Sequence, residues 1–307
     1  MKNLRFGMML ALLVVASSAR VQGQTTIFFA DFETDQSTTF TVKSIGSDFA
    51  TNFTYDYSTH VQATGSPVTI GLSPSSPGSG TRALRMEANI AANLVESVAV
   101  YPNPSAGLSQ YTLTFDTWLN NNLDGFGAGT SEYLVVVGHS DAAAAPGPAA
   151  SVTAFTGFFW AAITDGDTGD FDYRFYTGTG GAPVEDGSIP NWNGADERDG
   201  VDTGWTALFP APPYQSAGNW AKAWITVEQV VDGNSVTISV TPTGGTKTQV
   251  ASFSVDAALT SGHVGLGWMD IFSASSPTPN DSFGLVDNVK ITVPPPVTGA
   301  KNWVLYE

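Results

Sequence analysis

The carboxylates best placed to do chemistry are Asp31, Glu33 and Asp287. Asp31 and Glu33 flank Phe32, so their side chains share one face of a strand or bulge. Asp287 lies in the apolar run LVDNVKI, where a buried carboxylate needs a partner. Calcium takes six to eight oxygen ligands, and pairing of the first and last strands brings these acids together. The sequence therefore predicts a calcium site at these three residues; the alternative is that Asp287 accepts backbone hydrogen bonds at a strand edge.

A second set of residues combines aromatic rings with polar side chains, as sugar-binding sites do. Trp and Tyr rings stack on the apolar faces of sugars, while acids and Arg bind the hydroxyl groups. The candidate ligand-binding residues are Trp118, Glu132, Trp160, Tyr173, Arg174, Trp192, Trp205 and Asp270. Strand aromatics usually belong to a core, and this alternative stays open for each ring. The two loop tryptophans, at 192 and 205, are the stronger candidates because a loop buries a ring less readily.

The sequence shows no catalytic constellation. It contains no cysteine, which excludes disulfides, thiolate metal sites and cysteine nucleophiles. The three histidines, His60, His139 and His263, are scattered, and neither an HExxH nor a GxSxG motif occurs. No catalytic residue is therefore assigned.

The chain is strongly acidic. It has 12 Lys and Arg residues against 28 Asp and Glu residues, a formal net charge of −16. Such a chain repels nucleic acids and anionic membrane surfaces, so neither is expected as a partner. Acidity without a basic patch favours neutral glycans or cations as ligands. The alternative is that the charge serves solubility alone.

The first 23 residues have the pattern of a secretory signal peptide. Lys2 and Arg5 precede the apolar run MMLALLVVA, which is too short to span a membrane. We therefore expect export, with the mature protein secreted or extracellular, in a periplasm or at a cell surface; an uncleaved anchor is the alternative. A secreted domain without disulfides also favours a bacterial source. Residues 24–293 are expected to form one domain, and 294–307 a Pro-rich linker or C-terminal tail.

Almost every segment of the domain has strand character, with frequent Thr, Val and Phe between Gly- and Pro-rich turns. The expected strands are Thr26–Asp31, Thr38–Lys43, Phe49–Tyr57, Arg82–Ala88, Leu94–Val100, Tyr111–Leu119, Glu132–His139, Ala154–Thr164, Phe171–Tyr176, Ala223–Val231, Ser235–Thr241, Thr248–Val255, His263–Asp270 and Phe283–Val293. Asp232-Gly233-Asn234 predicts a tight hairpin turn. The long segment 177–219 is expected to be an ordered loop over one face. The fold class is all-β: an antiparallel two-sheet jelly-roll sandwich with its first and last strands paired.

Several short segments resemble the concanavalin A-like lectin/glucanase superfamily, which includes laminin-G-like modules. They are ADFET, RALRMEA, YTLTFDTWLN, WITVEQVVDGNSVTISV and FGLVDNVKITV. The chain also resembles uncharacterised secreted bacterial proteins through TSEYLVV, FDYRFY and GWMDIF. The resemblance implies a structural calcium held by Asp287 with Glu33 or Asp31 beside it. The glucanases of this superfamily carry a Glu-x-Asp-x-x-Glu strand, which this sequence lacks, so their activity is not expected.

These observations together predict a secreted, non-catalytic, lectin-like domain that binds a glycan or polysaccharide and holds a structural calcium. Two alternatives remain. One is a glycoside hydrolase or polysaccharide lyase of the same fold, and the other is a cell-surface structural or adhesion module. Fold resemblance alone does not separate them, because one sandwich fold serves many functions.

Overall fold

The computed structural model describes residues 23–62, 68–76, 80–104, 107–120, 132–141, 144–147, 152, 154–163, 172–185, 199, 202–272, 274–276 and 278–295. Within them the chain is almost entirely β-strand, with one short helix, α1 (Thr203–Leu208), and a few single 3-10 turns. The strands form two sheets, and all named strand pairs are antiparallel. No helix among the described residues is both long and apolar enough to cross a membrane.

Sheet A contains eight strands in the described chain. Their spatial order is β13 (Thr248–Ser254), β12 (Ser235–Pro242), β11 (Ile225–Asp232), β6 (Gln110–Asn120), β15 (Phe283–Val293), β4 (Arg82–Ala88) and β3 (Phe49–Asp56), and β1 (Thr25–Ala30) also pairs with β15. Sheet B has seven described strands. Their order is β10 (Val184–Glu185), β9 (Tyr173–Gly181), β8 (Phe155–Ile163), β7 (Glu132–Ser140), β14 (Gly265–Asp270), β5 (Glu96–Pro102) and β2 (Phe40–Ile45).

The first and last strands pair with each other in sheet A, as predicted. β1 runs antiparallel to β15, from the pair Thr25 and Val293 to the pair Ala30 and Val289. The two-sheet antiparallel sandwich is thereby confirmed. The predicted hairpin is also present: Asp232 pairs with Ser235, and Gly233 takes a φ of 59°, a left-handed conformation that glycine adopts without strain.

The main core lies between the sheets, because alternate residues of each strand point inward. In β6, Leu113 and Phe115 belong to this core, while Thr114 and Asp116 point to the opposite, outer face of sheet A. The core also holds a buried polar link. Gln229 of β11 accepts a hydrogen bond from Trp160 of β8 (2.9 Å) and donates one to Tyr111 of β6 (2.7 Å), so it joins the two sheets.

The outer face of sheet A is partly covered by the segment that follows β3. Tyr57 and Ile70 of this segment pack with Trp118, Trp224 and Phe283 in a separate apolar cluster. Trp224 donates its indole N–H to the carbonyl of Gly71 (2.6 Å). The segment is therefore held against the sheet by both apolar packing and hydrogen bonding.

The structure differs from the sequence predictions most in the region 177–219, predicted as loop. There β9 continues to Gly181, β10 pairs with it, and α1 follows. The extension of β9 is glycine-rich, so its side chains give no alternating pattern that would predict a strand. The strand forms nonetheless, because backbone hydrogen bonds to β8 do not depend on side chains. Gly178 is required for this approach, because a Cβ there would lie 2.5 Å from the carbonyl oxygen of Phe155.

Candidate functional site

A pocket opens on the outer face of sheet A, where β1, β15, β6 and β11 lie side by side. Its cavity volume is about 180 Å³. The residues that line it include Phe29, Ser75, Thr114, Thr226, Asn288 and Lys290. We call it the sheet A pocket. The lining combines an exposed aromatic ring with hydroxyl, amide and ammonium groups, and Phe115 of the core also contributes to it.

Two aromatic residues line the pocket. Phe29 is 47% exposed, whereas Phe115 is 1% exposed and belongs to the core. Phe29 stands directly opposite Lys290 across the β1–β15 pair, and Lys290 in turn stands opposite Thr114 across β15–β6. The chain neighbour of Phe29, Phe28, points to the core. Within the described chain Lys290 joins none of the ion pairs. An exposed ring and an unpaired ammonium group thus share one opening.

The polar residues of the pocket rest on a buried carboxylate, Asp116. One of its oxygens accepts hydrogen bonds from the hydroxyl groups of Ser75 (3.0 Å) and Thr226 (2.6 Å). The other accepts from the backbone N–H of Ser75 (2.8 Å) and the side-chain amide of Asn288 (3.1 Å). Four donors from three strands or segments therefore converge on one side chain that is completely buried. This network fixes the positions of three pocket-lining side chains.

A second buried carboxylate, Asp287, lies directly opposite Asp116 across the β15–β6 pair. Its Oδ2 accepts hydrogen bonds from the hydroxyl groups of Ser73 (2.6 Å) and Ser76 (3.0 Å). Its Oδ1 accepts from the backbone N–H of Asn288 (2.7 Å). Burial raises the pKa of Asp287 to about 6, and the nearby charge of Asp116 adds to the rise. Both acids are bonded by neutral donors alone within the described residues.

Asn288 links the two acids and is itself unusual. It has a φ of 54° at the bulge that interrupts the β15–β6 register, a conformation that Asn adopts more readily than most residues. Its amide nitrogen donates to Asp116 and to Ser73, while its Oδ1 is buried without a hydrogen-bond partner. A buried acceptor of this kind carries a desolvation cost that a bound ligand would offset.

The structure does not bring the predicted metal ligands together as one group. Asp31 accepts a hydrogen bond from the backbone of Glu33 (3.3 Å), and Glu33 accepts from the backbone of Arg82 (3.1 Å). Asp287 has the separate serine and asparagine partners just described. The described residues contain no group of three or more His, Asp or Glu side chains placed to hold a metal. Of the predicted set, Asp287 is the member found in a buried, oxygen-rich environment.

Four of the five predicted aromatic ligand residues lie in the interior. Trp118, Trp160, Trp205 and Tyr173 are each at most 6% exposed, so none offers a free ring face for a sugar. Trp205 of α1 stacks on Tyr173 with ring centroids 3.6 Å apart. This corrects the expectation that a loop leaves its aromatic residues open, because the helix in this region turns the ring inward. The other loop tryptophan, Trp192, lies outside the described residues.

Glu132 and Asp270 do come together, as cross-strand neighbours of β7 and β14. Glu132 accepts hydrogen bonds from Ser282 (2.6 Å) and from the indole of Trp268 (3.2 Å). Burial raises the pKa of Glu132 to about 8. Asp270 accepts from the side-chain amide of Asn89 (2.8 Å). Both acids are at most 1% exposed, so they serve the internal packing at this end of the sandwich.

Arg174, the remaining predicted ligand residue, lies on the outer face of sheet B. It forms an ion pair with Glu185 (2.8 Å) and donates a hydrogen bond to the hydroxyl of Tyr133 (3.1 Å). Sequence reasoning missed Phe29 and Asp116. Asp116 carried the same signal as Asp287, an acid inside an apolar strand. Phe29 carried none, because it is adjacent to another phenylalanine.

Comparisons with known proteins give likenesses of structure alone. No protein-family model matches the sequence, and no curated protein matches it. The chain is similar to the exoplasmic/lumenal domain of VIP36 in a Ca²⁺/Man2-bound form, with a TM-score of 0.44, 8% identity and 87% of each chain covered. It is similar to peanut lectin with a 9mer peptide (TM-score 0.41, 10% identity), covering 89% of this chain and 98% of that one.

A third likeness is to the carbohydrate binding module CBM66 from Bacillus subtilis, with a TM-score of 0.36 and 13% identity, covering 68% of this chain and 86% of that one. By their names, two of the three are a lectin and a carbohydrate-binding module. TM-scores of 0.36 to 0.44 carry no argument about what this chain binds.

Proposed function

We propose that this protein is a secreted, lectin-like β-sandwich that binds a neutral glycan in the sheet A pocket. The observation that carries the proposal is the exposed ring of Phe29 beside the hydrogen-bonding groups of the same opening. A sugar ring has an apolar face that stacks on an aromatic ring and hydroxyl groups that need donors and acceptors. The pocket offers both within one site.

The pocket is also prepared for binding in advance. Ser75, Thr226 and Asn288 are held by their hydrogen bonds to buried Asp116, so they lose little freedom when a ligand arrives. Side chains fixed before binding reduce the entropic cost of association. This distinguishes the pocket from the flexible polar surface of an ordinary exposed strand.

Charge favours a neutral ligand. Lys290 can donate to sugar hydroxyls, but two buried acids lie behind the pocket and the chain carries a net charge of −16. A polyanionic ligand would meet repulsion over most of its length. Export is part of the proposal because the first 23 residues have the pattern of a signal peptide, and extracellular glycans are ligands for an exported domain.

A structural calcium ion is the second part of the proposal. Calcium is bound by oxygen atoms, and the cluster behind the pocket offers only oxygen ligands. Asp116 and Asp287 would supply carboxylates, and the unpartnered Oδ1 of Asn288 would supply an amide oxygen. The ion would neutralise two buried carboxylates that are paired with no basic group in the described chain. Asp287 is shared with the set predicted from sequence, whereas Asp116 replaces Asp31 and Glu33.

The test of glycan binding is a glycan array followed by calorimetry with the sugar that binds. We expect Phe29→Ala to weaken binding at least tenfold, because stacking supplies the apolar part of the contact. Phe272→Ala is the matched control, since Phe272 is 44% exposed and follows β14 of the other sheet. Absence of binding to every glycan on the array would overturn the proposal. Equal weakening by both variants would move the site away from the pocket.

A further inference from the structure

We propose that the ligand is an extended neutral polysaccharide chain that leaves the sheet A pocket and lies across the strands of sheet A. This inference rests on the proposed function, since it names the class of glycan that the same site takes. It follows from one row of side chains that continues from the pocket to the far edge of the sheet.

The row is set by strand register. Phe29 stands opposite Lys290, Lys290 opposite Thr114, and Thr114 opposite Glu228. Beyond them, Glu228 stands opposite Ser239, and Ser239 opposite Gln249. Residues directly opposite in antiparallel strands point to the same face of a sheet. The six side chains therefore follow one line over six neighbouring strands, β1, β15, β6, β11, β12 and β13.

The row combines an aromatic ring at one end with hydrogen-bonding groups along the rest. Phe29, Lys290 and Gln249 are exposed, and Thr114 and Glu228 are half-buried. Ser239 is buried, so its hydroxyl group contributes little to binding. Thr, Gln, Lys and Glu between them offer both donors and acceptors, which sugar hydroxyl groups require. A row of apolar side chains would indicate a protein partner, and this row has one such residue alone.

The spacing of the row suits a polysaccharide. Neighbouring strands lie about 4.8 Å apart, so the row spans about 24 Å and each step is close to the length of one sugar unit, which makes room for roughly five units. A chain lying across the strands meets one row side chain at each strand, although the side chain on β12, Ser239, is buried. A single sugar would use the pocket end alone and leave the rest of the row unused.

The electrostatic character of the row is compatible with a neutral chain. Lys290 brings a positive charge, and the negative charge of Glu228 is paired with Lys247 on the same face. The row therefore carries no net negative charge although the chain as a whole is strongly acidic. A neutral chain gains hydrogen bonds here without electrostatic repulsion.

Calorimetry with β-1,4-linked gluco-, manno- and xylo-oligosaccharides of two to six units tests this inference. In the series that binds, we expect the affinity to rise about two- to tenfold with each added unit, as one or more hydrogen bonds are added, and to level off at roughly five units. Equal affinity for the two-unit and six-unit ligands would overturn the inference while leaving the proposed function intact. If no oligosaccharide series binds and no glycan on the array binds, both the inference and the proposed function are overturned.

Variants at the two ends of the row sharpen the result. Gln249→Ala, at the far end, should weaken the six-unit ligand about two- to tenfold and leave the two-unit ligand unchanged. Lys290→Ala, beside the pocket, should weaken both lengths. Lys43→Ala, on β2 of sheet B, is the control and should change neither. If Gln249→Ala has no effect on the six-unit ligand, the chain does not follow this row.

Discussion

Asp116 and Asp287 stand directly opposite each other across the β6–β15 pair, and both are completely buried. Like charges in this relation destabilise a sheet unless each is well solvated or shares a counter-ion. Here neutral donors from Ser73, Ser75, Ser76, Thr226 and Asn288 surround the pair. The segment that follows β3 is thus held against sheet A through the hydrogen bonds of Ser73, Ser75 and Ser76 to the two acids. The sheet A pocket is built on the same contacts.

Calcium should stabilise the fold through this pair. We expect added calcium to raise the melting temperature of the wild type and a chelator to lower it, because the ion binds the folded state alone. Asp116→Ala and Asp287→Ala should each abolish the response, so neither effect adds to that of the chelator. Differential scanning calorimetry measures these shifts.

Variants of the other predicted ligands provide the control for calcium. Asp31→Ala and Glu33→Ala should retain the response, since their carboxylates bond elsewhere. Loss of the response in Asp31→Ala, Glu33→Ala and Asp287→Ala, with the response kept in Asp116→Ala, would restore the set predicted from sequence. An unchanged melting temperature in the wild type with calcium and with chelator would rule out the structural ion.

Stability should depend on pH through Glu132. Burial raises the pKa of this group to about 8 in the folded state, well above its ordinary value of 4.5, with Asp270 and Glu87 adding to the rise. The folded state then holds the proton more tightly than the unfolded state. The free energy of unfolding should therefore fall as the pH rises from about 4.5 to about 8, on the order of 2–5 kcal/mol from this group.

Glu132→Gln should remove that dependence, because the amide oxygen still accepts from Ser282 and Trp268 but carries no charge. Urea unfolding at several pH values between roughly 5 and 9 measures the pH dependence of the free energy of unfolding. Asp232→Asn, exposed at the β11–β12 hairpin, is the control and should follow the wild type. A variant Glu132→Gln that loses stability with pH as steeply as the wild type would contradict this assignment.

Gln229 should be needed to join the two sheets. Gln229→Leu leaves the indole N–H of Trp160 without its acceptor and removes the donor to the hydroxyl of Tyr111, which keeps its bond to Gly138. We expect a loss of about 2–4 kcal/mol in the free energy of unfolding. Gln249→Leu is the same substitution at an exposed position and should change stability by less than about 0.5 kcal/mol. Equal effects in urea unfolding would show that the buried link contributes nothing.

Gly284 of β15 should tolerate no side chain. A Cβ there would lie 2.5 Å from Cε3 of Trp268, whose ring is fully buried. We expect Gly284→Ala to cost about 1–3 kcal/mol of stability through overpacking. Gly71→Ala, where a Cβ meets no atom within 4 Å, should have little effect. Thermal unfolding of the two variants decides the question, and equal melting temperatures would contradict the packing seen here.

Most of the fold was predictable from sequence because the signals of a strand lie within the strand and its flanking turns. Alternation in runs such as Ser235–Pro242 and punctuation by Gly and Pro locate each strand, and the predicted Arg82–Ala88 and Phe283–Val293 agree with the structure at both ends. Prediction was less successful where the side chains show no alternation of apolar and polar residues. The glycines that extend β9 to Gly181 form a strand through backbone hydrogen bonds that no local pattern encodes.

The candidate site shows the same division. By itself the sequence determined that Asp287 is a carboxylate within a buried strand and so needs a partner, because alternation and hydropathy are local properties. Only the tertiary structure decided which partners it has: Ser73 and Ser76, more than two hundred residues away, and Asp116 on a neighbouring strand. Likewise, Phe28 and Phe29 are the same residue type, and only the fold determines that Phe28 is buried while Phe29 is exposed beside Lys290. Register between distant strands sets these neighbours, and register is a property of the assembled sheet.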